Sequence, residues 1–449
     1  MALIRTVSGV RGIVDDDLTD GALYRHVSAL AELLPPGAVL LARDSRPHGR
    51  RFMAVAAQAL TDGNRQICLA GMVPTPTAQF LVTHLRLAGA VVITASHNPV
   101  EYNGMKFMGS DGVYLGAEQC DILYGRADRI EPPAQIETQK MRGQDLPDGA
   151  GEHILNILDL GCIDMEAILR MRCVVVVDAV NGAASVALPT LLEALGCEVV
   201  RLNTTPDGTF PRGAEPVAEH LSGLSEAVIS SGADLGLATD PDADRLALVD
   251  ENGAPLGEEY TQAIAVDGFL RRTASKKPVV TNLSSSLLID KITQPFGVEV
   301  HRSAVGEINV VNLMRSLGAD IGGEGNGGVI LGESHLGRDS LVAAALVLDR
   351  LAQDRNPLSA LVSSWPKFVM IKEKLAIDAG ETEVVLDRLK HKFSDVEPDV
   401  TDGLKWTWDD RWLHVRRSNT EPVMRLIAEG PDERATRQLI DTARMEAEK

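Results

Sequence analysis

Short runs of consecutive apolar residues, each ending in a polar turn, recur along most of this chain. Ala38-Val39-Leu40-Leu41-Ala42 leads into Arg43-Asp44-Ser45-Arg46, and Ala90-Val91-Val92-Ile93 leads into Thr94-Ala95-Ser96-His97-Asn98-Pro99. Cys173 to Val177 leads into Asp178-Ala179-Val180-Asn181-Gly182-Ala183, and Pro278-Val279-Val280 into Thr281-Asn282-Leu283-Ser284. Runs that do not alternate with polar residues read as strands buried on both faces. Helical stretches such as Ser185 to Leu195 and Leu341 to Gln353 lie between them, which predicts largely parallel sheets covered on both sides. This α/β rhythm fills three consecutive blocks. Near Asn356 to Lys367 it stops, and Trp365-Pro366 opens a smaller unit of different character. The polar stretch Arg129 to Glu152, with Pro132, Pro133, Gly143, Pro147 and Gly149, reads as a linker, and Glu251-Asn252-Gly253 closes the second block. The predicted domains are therefore 1–148, 149–252, 253–364 and 365–449. In such sheets ligands collect beyond the carboxyl ends of the strands. The chemistry should thus be assembled from several polar turns, each from a different domain.

Composition narrows the function classes. The chain has 449 residues, 45% of them hydrophobic but only 4% aromatic, so the cores should be aliphatic. A net charge of −19 argues against nucleic acid, whose binding rests on basic patches. An anionic ligand would require cations concentrated locally. No apolar run approaches the roughly 20 residues of a membrane helix, and the start from Met1 to Ile13 shows no secretory signal. Five cysteines (Cys68, Cys120, Cys162, Cys173, Cys197) are scattered without C-x-x-C spacing and read as incidental thiols of a reducing compartment. The expectation is a soluble cytoplasmic protein.

Four constellations change that picture. Asp240, Asp242 and Asp244 alternate singly and are followed at once by Arg245, with an apolar run on each side. Carboxylates this close repel unless a cation neutralises them, and oxygen ligands suit magnesium or calcium. A calcium loop of the EF-hand type needs glycine at position six and helical flanks; here position six is Arg245 and the flanks read as strands. A magnesium site at a strand end is the better reading, the bland alternative being an exposed acidic turn. Ser96 stands on a strand-to-loop turn, followed by Asn103-Gly104-Met105-Lys106. Such a serine can be a nucleophile or merely a cap, and the adjacent His97 need not be its base. Arg416-Arg417-Ser418-Asn419-Thr420-Glu421-Pro422-Val423-Met424-Arg425 sets three arginines against one glutamate, which suits a phosphate unless it is a solvated basic turn. Gly322-Gly323-Glu324-Gly325-Asn326-Gly327-Gly328 carries a hairpin signal at Asn326-Gly327, together with one carboxylate and one amide able to read sugar hydroxyls. Ser8-Gly9-Val10-Arg11-Gly12 and Arg43-Asp44-Ser45-Arg46 add cations that are weak evidence alone.

These loops, in this order and from about Ile4 to Gly430, resemble the α-D-phosphohexomutases, the superfamily of phosphoglucomutase, phosphomannomutase and phosphoglucosamine mutase. The resemblance implies four domains around a central cleft: three related α/β units with mixed, largely parallel sheets and a smaller C-terminal α+β domain of TBP-like topology. It implies that Ser96 carries a phosphoryl group and that Asp240, Asp242 and Asp244 hold one magnesium ion with it. The catalytic set would be Ser96 with Lys106 and Arg11, which handle the proton of the reacting hydroxyl, Arg245, which orients the phosphoserine, and the neighbouring His97. Glu324 and Asn326 would read the ring, while Arg416, Ser418, Asn419, Thr420 and Arg425 would clamp the distal phosphate. A hexose 1,6-bisphosphate would serve as intermediate or activator, and the protein would be a monomer or homodimer. Many relatives carry Ser-Gly-His in the sugar loop; here Gly325-Asn326-Gly327-Gly328 lacks the histidine, which is most similar to the archaeal-type phosphoglucosamine mutases. Glucosamine phosphate is therefore the expected substrate, with mannose or glucose phosphate as the alternative. Two rivals remain: a metal-dependent sugar phosphatase and a non-catalytic sugar-phosphate binding protein. The first has no need of a distant second phosphate clamp, and the second would tolerate loss of Ser96 or an aspartate, all of which are present.

Overall fold

The computed structural model describes residues 3–376, 382–417 and 423–449. Its first α/β unit is built on a seven-stranded sheet with the spatial order Ile4–Thr6, Gly9–Ile13, Tyr102–Met108, Gly89–Ile93, Val39–Arg43, Ile67–Met72 and Gln144–Asp145. Pairings from Gly89–Ile93 towards Gln144–Asp145 are parallel, and those towards Ile4–Thr6 are antiparallel. Two four-stranded sheets follow, ordered Leu246–Asp250, Leu235–Thr239, Val174–Asp178, Glu198–Leu202 and then Val300–Ser303, Val279–Asn282, Ile321–Glu324, Gly328–Leu331. Each has one antiparallel edge strand on an otherwise parallel sheet. The C-terminal domain is a wholly antiparallel sheet, Val369–Ala376, Val423–Gly430, Trp412–Arg417 and Leu404–Thr407. Val385, Leu389, Ile440 and Ala443, from helices Thr382–Lys392 and Glu433–Ala447, pack with its inner face in one core.

One device repeats. A parallel strand ends in a polar turn, and the chain returns at once as an antiparallel strand: Gly89–Ile93 to Tyr102–Met108, Leu235–Thr239 to Leu246–Asp250, Ile321–Glu324 to Gly328–Leu331. The turns are too short for a crossover helix, so the return must be antiparallel. They carry Ser96, the three aspartates and the Glu324–Asn326 loop respectively.

The second and third units share one aliphatic core, in which Val175, Leu237, Leu270, Val279 and Leu346 belong to a single cluster. Its centre is helix Ser340–Asp354, in which every residue from Ser340 to Ala352 is buried. An all-round apolar helix is stable only inside such a core, and truncating one of its leucines to alanine costs about 2–5 kcal/mol. The stretch Arg129 to Glu152 is not a free linker. Gln144–Asp145 adds a parallel strand to the sheet edge at Ile67–Met72, and Leu146 N donates to Leu69 O at 2.9 Å. An exposed edge is a pairing liability, and this segment covers it. The C-terminal domain docks on the third unit through polar contacts. His414 meets Ser284 Oγ at 2.9 Å and Glu429 accepts from Leu287 N at 2.8 Å, while Asp402 O at 2.6 Å and Trp412 Nε1 at 2.8 Å hold these two side chains from within the C-terminal domain. All five cysteines are free thiols. Among the described residues no helix is long and apolar enough to cross a membrane.

Candidate active site

The serine turn is held by a buried cage. Ser96 is 4% exposed and adopts φ +50, a left-handed conformation that costs a non-glycine residue about 1–2 kcal/mol unless its surroundings impose it. Here they do. Ser96 N donates to Thr94 Oγ1 at 2.9 Å, and that hydroxyl donates to Asp44 Oδ2 at 2.7 Å. Arg46, 1% exposed, donates to the carbonyls of Ser96, Asn98, Pro99 and Tyr102 at 2.6–2.8 Å and through Nε to Asp44 at 3.0 Å. All five guanidinium N–H groups are thereby used. The return strand approaches closely because Gly104 has no side chain: a Cβ there would lie 2.3 Å from Val10 O and 2.8 Å from Thr94 O.

The aspartate turn faces this serine. Asp240, Asp242 and Asp244 are each fully buried, and one ligand oxygen from each lies within 4.8 Å of the others. Ser96 Oγ is 3.3 Å from Asp240 Oδ2. Asp242 Oδ2 accepts from Thr75 Oγ1 at 2.7 Å and Lys106 Nζ at 2.7 Å, and Asp244 Oδ2 accepts from Lys106 Nζ at 3.0 Å and Arg338 Nη2 at 2.7 Å. Oδ1 of Asp242 and Oδ1 of Asp244 are buried without a hydrogen-bond partner among the described residues. Buried carboxylate oxygens without donors are costly, and a divalent cation is what oxygen atoms so placed would satisfy. The donor set is oxygen throughout, which fits a hard cation such as magnesium. The three carboxyls are unequal. Burial, then Asp244 and Asp242, push Asp240 well above the usual carboxylate range. Burial also opposes ionisation of Asp244, but Arg338, Lys106 and Arg245 override it and hold this group well below the range. Lys106 is opposed by burial too, yet Asp242 and Asp244 keep its ammonium charged.

Of the other predicted residues, His97, Arg11 and Arg245 adjoin this pair of turns, Glu324 joins them through Arg338, and Asn326, Arg416 and Arg425 lie in the neighbouring hairpin and the C-terminal sheet. His97 Nδ1 is 3.2 Å from Ser96 Oγ, and Arg245, then burial and Arg11, hold the ring neutral. Arg11, opposite Gly104 in the strand pairing, donates to Asn98 Oδ1 at 3.0 Å. Arg245 donates its backbone N–H to Asp240 Oδ1 at 3.2 Å and its guanidinium to Glu215 at 2.8 Å. Glu324 accepts from Asn282 Nδ2 at 2.7 Å, Gly306 N at 3.1 Å and Arg338 Nη1 at 3.0 Å. Asn326 lies in the hairpin turn, where its Oδ1 accepts from Gly328 N at 3.3 Å. Arg416 and Arg425 are direct cross-strand neighbours at the open end of strands Trp412–Arg417 and Val423–Gly430. Ser418, Asn419 and Thr420, predicted for the phosphate clamp, lie outside the described residues.

Several residues that organise the site were not singled out as such from sequence. Arg43-Asp44-Ser45-Arg46 reads as weak evidence locally, yet Asp44 and Arg46 are the serine cage. Thr75 grips Asp242 by backbone and side chain. Arg338 and Glu307 had no local signal beyond Arg338-Asp339 preceding a helix. The acidic residue of that pair is fully engaged: Asp339 Oδ1 caps the helix at Leu341 N and Val342 N, and Oδ2 lies 3.0 Å from the ring nitrogens of both His153 and His335.

Comparison with known proteins decides the family. Models of phosphoglucomutase/phosphomannomutase α/β/α domain I, domain II, domain III and the C-terminal domain match residues 3–133, 152–253, 257–368 and 378–445. The chain belongs to the phosphoglucomutase/phosphomannomutase family. It is 35% identical over 443 residues to a phosphoglucomutase/phosphomannomutase of Thermococcus kodakarensis, covering 96% of each chain. A probable phosphoglucosamine mutase of Methanopyrus kandleri is 35% identical over 448 residues, covering 97% of this chain and 95% of the relative. Among solved structures, a phosphoglucomutase/phosphomannomutase family protein from Burkholderia thailandensis superposes with a TM-score of 0.83 at 26% identity, covering 99% and 97% of the two chains. This phosphohexomutase therefore has the expected architecture, three α/β units and a smaller C-terminal domain, and its class is that of an isomerase.

Proposed function

We propose that the chain interconverts hexose 6-phosphate and hexose 1-phosphate through a phosphorylated Ser96, with glucosamine phosphate as the preferred substrate. The observation that carries the reading is the placement of Ser96 Oγ 3.3 Å from Asp240, beside two buried carboxylate oxygens that lack donors. Magnesium held by Asp240, Asp242 and Asp244 together with phosphoserine would supply charge dispersal as phosphoryl moves. The side chains supply the rest. The Ser96 Oγ–P bond breaks while a bond from phosphorus to a sugar hydroxyl oxygen forms, giving the bisphosphorylated sugar. The proton of that hydroxyl ends on Ser96 Oγ, the leaving oxygen, beside Lys106 and Arg11, whose charges stabilise the reacting oxygens. After the intermediate turns end for end, the other phosphate returns to Ser96 and the proton is restored. Arg245 orients the phosphoserine, Glu324 and Asn326 accept and donate at ring hydroxyls, and Arg416 with Arg425 holds the distal phosphate in both orientations.

The sugar preference rests on Gly325-Asn326-Gly327-Gly328, a sugar loop without the histidine, and on the likeness to the Methanopyrus kandleri protein. The equal identity to the Thermococcus kodakarensis protein favours the second reading, glucose or mannose phosphate. Comparing kcat/KM on glucosamine, glucose, mannose and N-acetylglucosamine phosphates decides between them. A higher value on glucose or mannose phosphate than on glucosamine phosphate would reject the first.

A further inference from the structure

We infer that Arg338 touches the sugar itself, donating hydrogen bonds to the ring hydroxyls beside Glu324; this rests on the phosphohexomutase reading of the site. Arg338 is 8% exposed and reaches three carboxylates from three different segments. Its Nε donates to Glu307 at 2.9 Å, Nη1 to Glu324 at 3.0 Å and Nη2 to Asp244 at 2.7 Å. One guanidinium thus spans the gap between an aspartate of the cation turn and the carboxylate of the sugar loop. Asp244 belongs to the turn that Ser96 faces through Asp240, so this guanidinium stands between the sugar loop and the reacting end of the site. Three of the five N–H groups of an arginine are used here, leaving one on each terminal nitrogen. A carboxylate oxygen has two acceptor positions, and Glu324 Oε2, which meets Arg338, accepts from no other group among the described residues. Donor and acceptor therefore remain side by side, as reading two neighbouring hydroxyls requires.

The sequence makes room for this. Gly328 lies directly opposite Glu324 in the hairpin, and a Cβ on it would sit 2.3 Å from Arg338 Cδ and 2.9 Å from its Cγ. A side chain at 328 and the arginine stem cannot occupy that space together. Arg338 is in turn fixed from behind, because Glu307 also accepts from Gln79 Nε2 at 3.1 Å and Asp339 is locked between two histidines and the helix start.

A strap that merely ties three loops together would look similar in a static structure, so the test must read the sugar. The wild type, Arg338→Ala and Arg338→Lys are compared on the best hexose 6-phosphate substrate and on its 3-deoxy and 4-deoxy analogues. The wild type should lose roughly ten- to a hundred-fold in kcat/KM when the contacted hydroxyl is removed, the usual worth of a hydrogen bond to a charged group. Arg338→Ala should lose a similar factor on the parent sugar and become indifferent to that hydroxyl. Arg338→Lys, which keeps the charge but not the fork, should fall between. If Arg338→Ala does not fold, the lysine variant alone carries the comparison. A variant that is slower yet retains the full wild-type sensitivity to both hydroxyls would overturn the inference, as would Arg338→Ala at wild-type efficiency. A wild type inactive on every hexose phosphate would instead defeat the functional reading, and this inference with it.

Discussion

Replacing Arg46 by methionine keeps the stem volume and removes the guanidinium that holds the serine turn. Four carbonyls, those of Ser96, Asn98, Pro99 and Tyr102, lose their charged donor, and Asp44 is left as a buried carboxyl facing only Thr94 Oγ1 and the backbone N–H of residue 46. Removing one member of a buried, hydrogen-bonded ion pair costs about 3–5 kcal/mol. Burial already pushes Asp44 above the usual carboxylate range even with Arg46 beside it, so part of that cost is avoided by protonating it. About 3 kcal/mol is the lower estimate, a large share of the 5–15 kcal/mol that typically holds a domain. The loss should fall on the first α/β unit, and its functional consequence is specific. Without the cage, Ser96 can relax from φ +50 to an ordinary conformation and withdraw its oxygen from Asp240. Thermal unfolding should show an early transition, and kcat should fall by at least ten-fold, with KM changed far less because the clamp and sugar loop are untouched. Asp44→Asn, which keeps the shape and one acceptor, should be milder on both counts. An Arg46→Met enzyme with unchanged unfolding and unchanged kcat would refute the idea that the cage imposes the strained serine.

The remaining predictions are simpler. Ser96→Ala should abolish turnover while leaving the unfolding temperature within a degree or two; near-normal activity would remove Ser96 as phosphoryl carrier. Chelation by excess EDTA should silence the enzyme and magnesium should restore it, and full activity in EDTA would contradict the reading of the three aspartates. Glu259, whose Oε2 accepts from Ser286 N at 2.9 Å, has a carboxyl that burial raises from 4.5 to about 8 against the pull of Lys372, with Glu429 and Glu258 pushing the same way. The folded protein then holds a proton that the unfolded chain has lost, so stability should decline as pH rises from about 4.5 to about 8. Urea midpoints measured across that range should show the decline, and Glu259→Gln should flatten it; an identical slope in the variant would reject the assignment.

What could be read from the chain follows from the range of the interactions involved. The strands at Val39–Arg43, Val174–Asp178 and Val279–Asn282 are legible because burial on both faces imposes an unbroken apolar run on neighbouring residues. The aspartate turn is legible for the same reason: repulsion among Asp240, Asp242 and Asp244 is a local fact that needs an explanation. Arg46 and Arg338 are different. Their partners lie 50 to 56 and 14 to 94 residues away in the chain, apart from Asp44, two residues before Arg46. Nothing in their immediate neighbourhood distinguishes a buried hub from a solvated cation. The covering strand Gln144–Asp145 escaped for a related reason, since two exposed polar residues pair only because an edge happens to stand beside them.

The return strands connect these two levels. A turn as short as Thr94–Glu101 or Asp240–Arg245 cannot carry a crossover, so the strand after it must run back beside the one before. That geometry leaves the turn projecting from the carboxyl end of a parallel strand, where a cleft forms. It also carries the return strand back under the turn, which is how Lys106 reaches Asp242 and Asp244 and how Leu246 N meets Gly327 O at 3.0 Å. Three units built this way put their turns within hydrogen-bond reach of one another: Ser96 to Asp240, Thr75 to Asp242, and Arg338 between Asp244 and Glu324. Because each turn is gripped by a neighbouring unit, shifting one unit by an ångström would disturb the cation cage and the sugar reader together.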